Sequence, residues 1–326
     1  MKAIVQDQYG SPDVLEFTDV DQPVPGDREV LVRVHAAALN ARDWHVLRGD
    51  PYVARPSADL GLRRPNVRIR GTDFAGRVEA VGPSVTGVRV GDEVYGDAIG
   101  AFAEYLAVPE DAVAAKPANL SYEQAAAIPL AATTALVGLR DVAKLQPGQQ
   151  ILINGASGGV GTFAVQIAKA LGAEVTGVCS TRNVELIRSI GADDVIDYTT
   201  ADFSRTGRRY DVVLDLVGNR SLTALRRILV RNGTLVLSGG GVFTGGSLFG
   251  PVGLMVKGMV SAPFVSQRVV LLKPTINKAN LMALSELAES GKLVPAIDRT
   301  YPLSAAADAL RYLEAEHARA KVVLTV

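Results

Sequence analysis

The run Ile151-Leu152-Ile153-Asn154-Gly155-Ala156-Ser157-Gly158-Gly159-Val160-Gly161 constrains the fold of this chain more than any other: an apolar strand enters a glycine-rich turn, and a helical pattern leaves it. Glycines let such a turn tighten and let main-chain N–H groups come close to an anion, while the positive end of the following helix favours negative charge. Residues 162–171 carry Phe163, Val165, Ile167, Ala168 and Leu171 at helical spacing, Gly172 stops the pattern, and 174–179 reads as the next strand. Strand, turn, helix and strand in this order form a βαβ unit. Its turn is the place for a dinucleotide pyrophosphate, held by Ser157, Gly158, Gly159 and Val160. Ala156 stands where the usual fingerprint has its first glycine, a departure that leaves the strand-turn-helix context intact. The competing reading is an ordinary glycine-rich connection.

The residue that selects the dinucleotide is expected about 20 positions past the glycines, at the end of the second strand, where a carboxylate would meet the ribose hydroxyls. Here that strand ends Val178-Cys179-Ser180-Thr181-Arg182-Asn183, without a carboxylate. Arg182 can pair with a 2′-phosphate and Ser180 can donate to it, so NADPH is the expected cofactor. The alternative role for Ser180 and Arg182 is to cap a helix starting near Asn183.

With 326 residues the chain is expected to form about two domains. Hydrophobic residues make up 48 % and charged residues 21 %, and 34 Lys plus Arg balance 34 Asp plus Glu without a basic block. A soluble globular protein is expected, with no nucleic acid as its ligand. Cys179 is the single cysteine, which allows no disulfide within the chain and no multi-cysteine zinc site. No signal peptide is visible and no apolar run approaches the roughly 18 residues of a membrane span, so the expected location is the cytoplasm.

The first third alternates short β-patterned runs (2–5, 15–20, 29–38, 73–81, 93–95 and 103–108) with glycine and proline turns. From Ser121 the pattern changes: Ser121-Tyr122-Glu123-Gln124 reads as a capping box opening an alanine-rich helix, and a second helix is expected over 131–142. Strands at 150–154, 174–179, 194–197, 212–216 and 233–238 then alternate with helices at 162–171, 184–190 and 222–229, the pattern of a doubly wound parallel sheet. Gly239 follows the last of these strands, at the edge where such sheets bind ligands. Residues 244–270 are apolar without clean periodicity and read equally as a wall over a substrate pocket or a segment packed between subunits. Helices at 281–289 and 305–316 and a strand at 321–326 return the tail to the first domain. The expected fold is α/β, with 1–120 and 268–326 forming one domain and 121–267 the dinucleotide-binding one.

Several stretches together resemble the medium-chain dehydrogenase/reductase superfamily, and within it the zinc-independent, zeta-crystallin-like quinone oxidoreductase branch. They are VHAAALNARDW at 34–44, GTDFAG at 71–76, VRVGDEV at 88–94, AATTA at 131–135, the glycine turn at 154–161, GADDVIDY at 191–198 and the tail 317–326. The resemblance covers nearly the whole chain. It implies a GroES-like β-rich catalytic domain made from both chain ends, a Rossmann domain between them in sequence, a cofactor in the cleft between the two, and a homodimer paired through the Rossmann sheet. Metal-dependent members would place a cysteine near Asn40, a His-Glu pair at Thr72-Asp73 and a four-cysteine lobe after about residue 90, all missing here. The three histidines, His35, His45 and His317, do not supply a zinc set.

Without a metal, hydride transfer needs an acceptor already activated by conjugation, which points to quinones and α,β-unsaturated carbonyls. The resemblance implies that Asn40 and Tyr52 line the reacting end, Asn40 as a polar group near the carbonyl and Tyr52 as a hydrogen-bond donor or a wall. Asn40 can alternatively cap a helix, and Asp43 reads as a helix-start carboxylate or an orienting group. The resemblance also places Thr133 at the nicotinamide end and Tyr198 on the adenosine side; Val217 and Gly239 follow later strands of the sheet, where backbone close to the cofactor is expected. Thr133 has an intrahelical hydroxyl as its alternative, and Lys321 is expected to touch the cofactor or to make a surface salt bridge. A reductase dedicated to a biosynthetic enone and a non-catalytic NADPH-binding sensor are the competing functions.

Overall fold

The structure is a computed structural model that describes residues 1–56, 60–238, 266–315 and 318–326. The chain divides into two compact units, one made of Met1–Thr133 with Ile276–Val326 and the other beginning at Thr134 and ending at Thr275.

The first unit opens with β1 (Lys2–Gln6) and β2 (Leu15–Asp19), a hairpin, followed by β3 (Glu29–Leu39), α1 (Ala41–Arg48), β4 (Asp73–Val81), β5 (Glu93–Asp97), β6 (Tyr105–Pro109), β7 (Val113–Ala115), α2 (Tyr122–Ala126) and the first five residues of α3 (Pro129–Leu136), the rest of which belongs to the second unit. The second unit holds β8 (Gln150–Asn154), α4 (Gly159–Ala170), β9 (Glu174–Cys179), α5 (Val184–Ser189), β10 (Asp194–Asp197), β11 (Tyr210–Asp215), α6 (Leu222–Arg227), β12 (Leu229–Leu237) and β13 (Arg268–Leu271). The chain then returns to the first unit with α7 (Lys278–Glu289), β14 (Ile297–Pro302), α8 (Ala306–Ala315) and β15 (Lys321–Thr325).

In the first unit seven strands of the described residues join in the order β14-β15-β3-β4-β5-β7, with β6 on β3. The register decides which residues share an end of this sheet. Val322 pairs with Leu39, Ala38 with Asp73, and Asp73 with Asp97, so β3 and β5 end where β15 and β4 begin. Lys321, Asn40, Asp73 and Asp97 therefore converge although up to 281 positions separate them in the chain. Val30, Val32, Val34, Phe74, Val78, Val94, Phe102, Val322 and Leu324 bury one continuous core beneath the sheet. Their apolar area supplies the driving force for this unit.

In the second unit six parallel strands of the described residues run in the order β10-β9-β8-β11-β12-β13. This is the expected doubly wound sheet, and its strand order reverses between β8 and β11, the switch point where such sheets take ligands. Leu152, Val178, Val213, Leu225 and Leu235 belong to its core.

Some elements depart from the sequence pattern. The helix expected over 222–229 stops at Arg227, because Leu229 already pairs with Tyr210; the register then slips, and Thr234 pairs with Val212. Strands β7, β13 and β14 were not expected. β14 carries the polar sequence IDRTYP at the edge of its sheet, with no buried residue, so it lacks the alternation that marks a strand.

Candidate active site

At the end of β8 the chain enters the glycine turn. Gly155 has φ +86°, and a Cβ there would meet Val217 Cγ2 at 2.7 Å. A Cβ on Gly161 would lie 2.1 Å from Gly155 O, so α4 can start directly against the turn only with glycine at 161. The missing first glycine of the fingerprint is accounted for on the neighbouring strand. Ala156 is fully buried, and its methyl lies 3.1 Å from where a Cβ of Gly177 would stand: β9 omits the side chain that the turn includes.

The N–H groups of the first turn of α4 have no partner within the helix, and together with the helix dipole they present partial positive charge beside Ser157, Gly158, Gly159 and Val160. Asn183, which sequence reasoning passed over, ties this turn to the end of β9. It is buried, and its Nδ2 donates to Ser157 Oγ at 3.0 Å and to Ser180 Oγ at 3.3 Å. On the other side, Asn154 Nδ2 donates to Asp215 Oδ1 at 2.8 Å, which also accepts the N–H groups of Val217 and Gly218. Among the described residues, Asn183 Oδ1 and Asp215 Oδ2 are buried acceptors without a hydrogen-bond partner. Orphaned acceptors on both flanks of an N–H cradle fit a ligand that brings phosphates and hydroxyls together, as a dinucleotide does.

Ser180 is half-buried and its side chain caps no helix, so the capping alternative is not realised for it. Arg182 and Tyr198 are exposed beside it, with Tyr198 N–H donating to Cys179 O at 3.0 Å. A carboxylate does reach this edge, but from β10: Asp197 accepts Thr181 Oγ1 at 2.6 Å and the N–H and hydroxyl of Thr199. These bonds hold its carboxyl below the usual range. Pairing the expected strand 194–197 in parallel with 174–179 brings Asp197 opposite Cys179, a placement that depends on register rather than on local sequence. Gly239 and residues 244–265 lie outside the described residues.

In the first unit the converging strand ends form a buried polar cluster. Asn40 caps α1, and its N–H donates to Asp43 Oδ2 at 2.7 Å, the helix-start role read for Asp43. Burial pushes the Asp43 carboxyl up to about 6, against the bond from Asn40. Lys321 is 2 % exposed and its Nζ donates to Leu39 O at 2.9 Å, Asn40 Oδ1 at 2.6 Å and Asp73 Oδ2 at 3.5 Å. The surface salt bridge expected as one alternative for Lys321 is thus corrected to a buried one, because the pairing of β15 with β3 carries the side chain inward. Asp73 Oδ1 accepts Leu130 N at 3.0 Å and so anchors the start of α3. Burial raises the Asp73 carboxyl well above its usual range and lowers the Lys321 ammonium, each opposed by the charge of the other.

Thr133 is fully buried on α3 and its hydroxyl has no partner among the described residues, so the intrahelical bond considered for it is not made. Tyr52 is 47 % exposed on a short turn after α1, its ring 4.5 Å from the Arg55 guanidinium, which also lies over Tyr9. His45 Nδ1 bonds Asp50 O at 2.8 Å and stacks on Trp44, a packing role. Among the described residues no group of three or more His, Cys, Asp or Glu could hold a metal. Asn40, Thr72 and Asp73 offer an amide, a hydroxyl and one carboxylate set against an ammonium, a donor set that does not fit zinc.

Two units of this kind, one a β-rich sheet closed by the chain's end and one a doubly wound sheet with an anion cradle at its switch point, define a GroES-like plus Rossmann protein. The Alcohol dehydrogenase GroES-like domain family matches residues 26–118, and the Zinc-binding dehydrogenase family matches 190–324. The 2-methylene-furan-3-one reductase of Solanum lycopersicum is 37 % identical over 99 % of this chain and 79 % of its own length. The NADPH-dependent alkenal/one oxidoreductase, chloroplastic, of Arabidopsis thaliana is 35 % identical over the same shares. The crystal structure of Escherichia coli quinone oxidoreductase complexed with NADPH superposes with a TM-score of 0.85 and 28 % identity, over all of both chains. The chain belongs to the medium-chain dehydrogenase/reductase superfamily, in its zeta-crystallin-like quinone oxidoreductase branch. Among the described residues no helix is long and apolar enough to cross a membrane.

Proposed function

We propose that this protein is an NADPH-dependent, zinc-independent reductase of quinones and α,β-unsaturated carbonyls. The observation that carries the reading is the glycine turn bridged by Asn183 to Ser180, in a chain 35 % identical to an NADPH-dependent alkenal/one oxidoreductase. The first-turn N–H groups of α4 hold the pyrophosphate, Ser180 and Arg182 take the 2′-phosphate, and Tyr198 and Val217 border the cofactor. Bound NADPH supplies the hydride. Asn40 donates from its amide to the acceptor's carbonyl oxygen, where negative charge develops, and the Thr133 hydroxyl offers a second polar contact. Tyr52 closes the acceptor side. The acceptor is conjugated, so charge arriving on carbon is delocalised onto that oxygen without a Lewis acid; the cluster around Lys321 supports zinc independence by filling the place of the donor set with an ammonium.

The finer assignments are a homodimer and a cytoplasmic location. Among the described residues β13 stands at the edge of the parallel sheet with Leu271 38 % exposed, an edge that a second copy can extend. The single cysteine, Cys179, is buried as a free thiol, which suits a reducing compartment.

Loss of nicotinamide absorbance on mixing with a benzoquinone and with a 2-alkenal tests the reading. Turnover is expected with both, with kcat/KM for NADPH at least about tenfold above that for NADH, the worth of one charge-assisted contact. Dialysis against a chelator should leave the rate unchanged. Tight NADPH binding without turnover of any conjugated acceptor would show a sensor rather than an enzyme, and zinc-restored activity after chelation would refute the metal-free assignment.

A further inference from the structure

We propose that Lys321 is a positioning residue for the reduction: its bond to Asn40 Oδ1 fixes the amide so that Nδ2, a donor, is the atom offered to the acceptor's carbonyl. The inference rests on the role given to Asn40 above and adds the device that sets its orientation. An asparagine amide can rotate by half a turn with almost no change of shape, exchanging its donor for its acceptor. Only the donor stabilises a carbonyl oxygen that is gaining negative charge; the other orientation would place two oxygens together.

An ammonium has three donors and no acceptor, so whichever amide atom meets it must be the oxygen. Lys321 Nζ meets Asn40 Oδ1 at 2.6 Å, its shortest contact, and places its other bonds on Leu39 O and Asp73 Oδ2. Among the described residues Asn40 Nδ2 is buried and makes no well-formed hydrogen bond, although the Asp73 carboxyl lies close enough to be influenced by the amide. The backbone of Asn40 is held as well, by its N–H bond to Asp43. Asp73, which receives the ammonium, also receives Leu130 N at the start of α3, the helix that carries Thr133. One buried pair thus fixes both polar groups assigned to the reacting end, Asn40 through the lysine and Thr133 through the aspartate.

Stability is a poor explanation for such a pair. Desolvation of two buried charges consumes most of their attraction, and apolar residues of similar volume generally hold a fold at least as well. Orientation of an amide is something apolar residues cannot supply.

The test measures kcat and KM for a quinone acceptor, the NADPH Kd by fluorescence, and Tm for Lys321→Met, Asn40→Ala, Asn40→Asp and the double variant Lys321→Met/Asn40→Ala. Lys321→Met is expected to lower kcat about 100-fold, the usual cost of one lost transition-state donor, with the NADPH Kd within about threefold of wild type. Asn40→Asp keeps the contact to the ammonium while losing the donor, and should fall as far as Asn40→Ala. In the Asn40→Ala background, Lys321→Met should lower kcat by less than about twofold, because residues acting as a unit are not additive. A purely structural lysine would instead lower kcat by the same factor in both backgrounds, overturning the proposal. Should Lys321→Met not fold, Lys321→Met/Asp73→Asn removes the unpaired buried carboxylate and is compared with Asp73→Asn in the same two backgrounds. Full activity of Asn40→Ala would remove the role assigned to Asn40 itself; an impaired Asn40→Ala beside an unimpaired Lys321→Met would overturn this inference alone.

Discussion

Asp43 shows how a single side chain serves two demands. Its carboxylate closes the start of α1 by accepting the Asn40 N–H, yet it is buried, and burial pushes its carboxyl up to about 6. The folded state therefore holds this proton more tightly than the unfolded chain, whose value is near 3.8. The resulting stabilisation is complete below about pH 4 and is lost as pH rises through about 6. Asp43→Asn keeps an acceptor for the N–H and removes the titration. Thermal melts of both proteins between pH 4 and pH 8 should show the variant gaining on wild type up to about pH 6.5 and holding a constant lead beyond it. The gain is bounded by about 3 kcal/mol, two pKa units and a fraction. A difference in Tm that stays flat from pH 4 to pH 7 would show that the carboxyl is not desolvated. Residues such as Asp43 and Ala156 were partly legible: a carboxylate three positions after a capping asparagine is a local signal, whereas the room that Gly177 makes for Ala156 is a packing fact between two strands.

The turn from β8 into α4 separates two reasons for a glycine, and sequence cannot tell them apart. Gly161 is required by the protein itself, since its Cβ would stand 2.1 Å from Gly155 O and 2.7 Å from the Ala156 backbone. Gly158 is not: its φ is −80°, and a Cβ there would meet only Gly155 O, at 3.5 Å. If Gly158 serves the close approach of a pyrophosphate, Gly158→Ala should leave Tm within about 2 °C of wild type, the span of a near-neutral substitution, while weakening NADPH binding about tenfold or more. Gly161→Ala should lose both, at a cost of about 1–3 kcal/mol or more, because a backbone atom cannot move aside as a side chain can. Fluorescence titration with NADPH beside calorimetry distinguishes the two. Unchanged affinity in Gly158→Ala would take the pyrophosphate away from this turn. The dinucleotide element was nonetheless the most legible part of the chain, because strand, turn, helix and strand lie next to one another in sequence and each carries its own period. Asn183, which joins the turn to Ser180, gave no signal, since its partner Ser157 is 26 positions away.

At the scale of the whole molecule, what stayed hidden is what long-range pairing creates. The return of the tail to the first unit was legible in its β pattern, but the burial of Lys321 follows from one register, Val322 on Leu39, which no local period encodes. That register makes the last strand structurally central although it is last in sequence. β15 lies between β14 and β3, and Val322, Val323 and Leu324 are almost wholly buried in or beside the core. Removing residues 321–326 would forfeit about 1.5–3 kcal/mol for each of these three side chains, leave Asp73 without its ammonium, and strip β3 and β14 of their shared partner. That total is comparable to the roughly 5–15 kcal/mol by which domains are stable at all. The core of the second unit, from Leu152 to Leu237, includes no residue of β15, so its packing does not depend on that strand. Limited proteolysis of the truncated chain, read by mass spectrometry, should cut throughout 1–133 and 276–320 while a fragment covering 134–238 persists, and NADPH should protect that fragment further by mass action. A truncated chain that melts within about 3 °C of the full-length protein, less than the shift from losing one buried side chain, would mean that β15 is an accessory strand and that the sheet's end is held by other contacts.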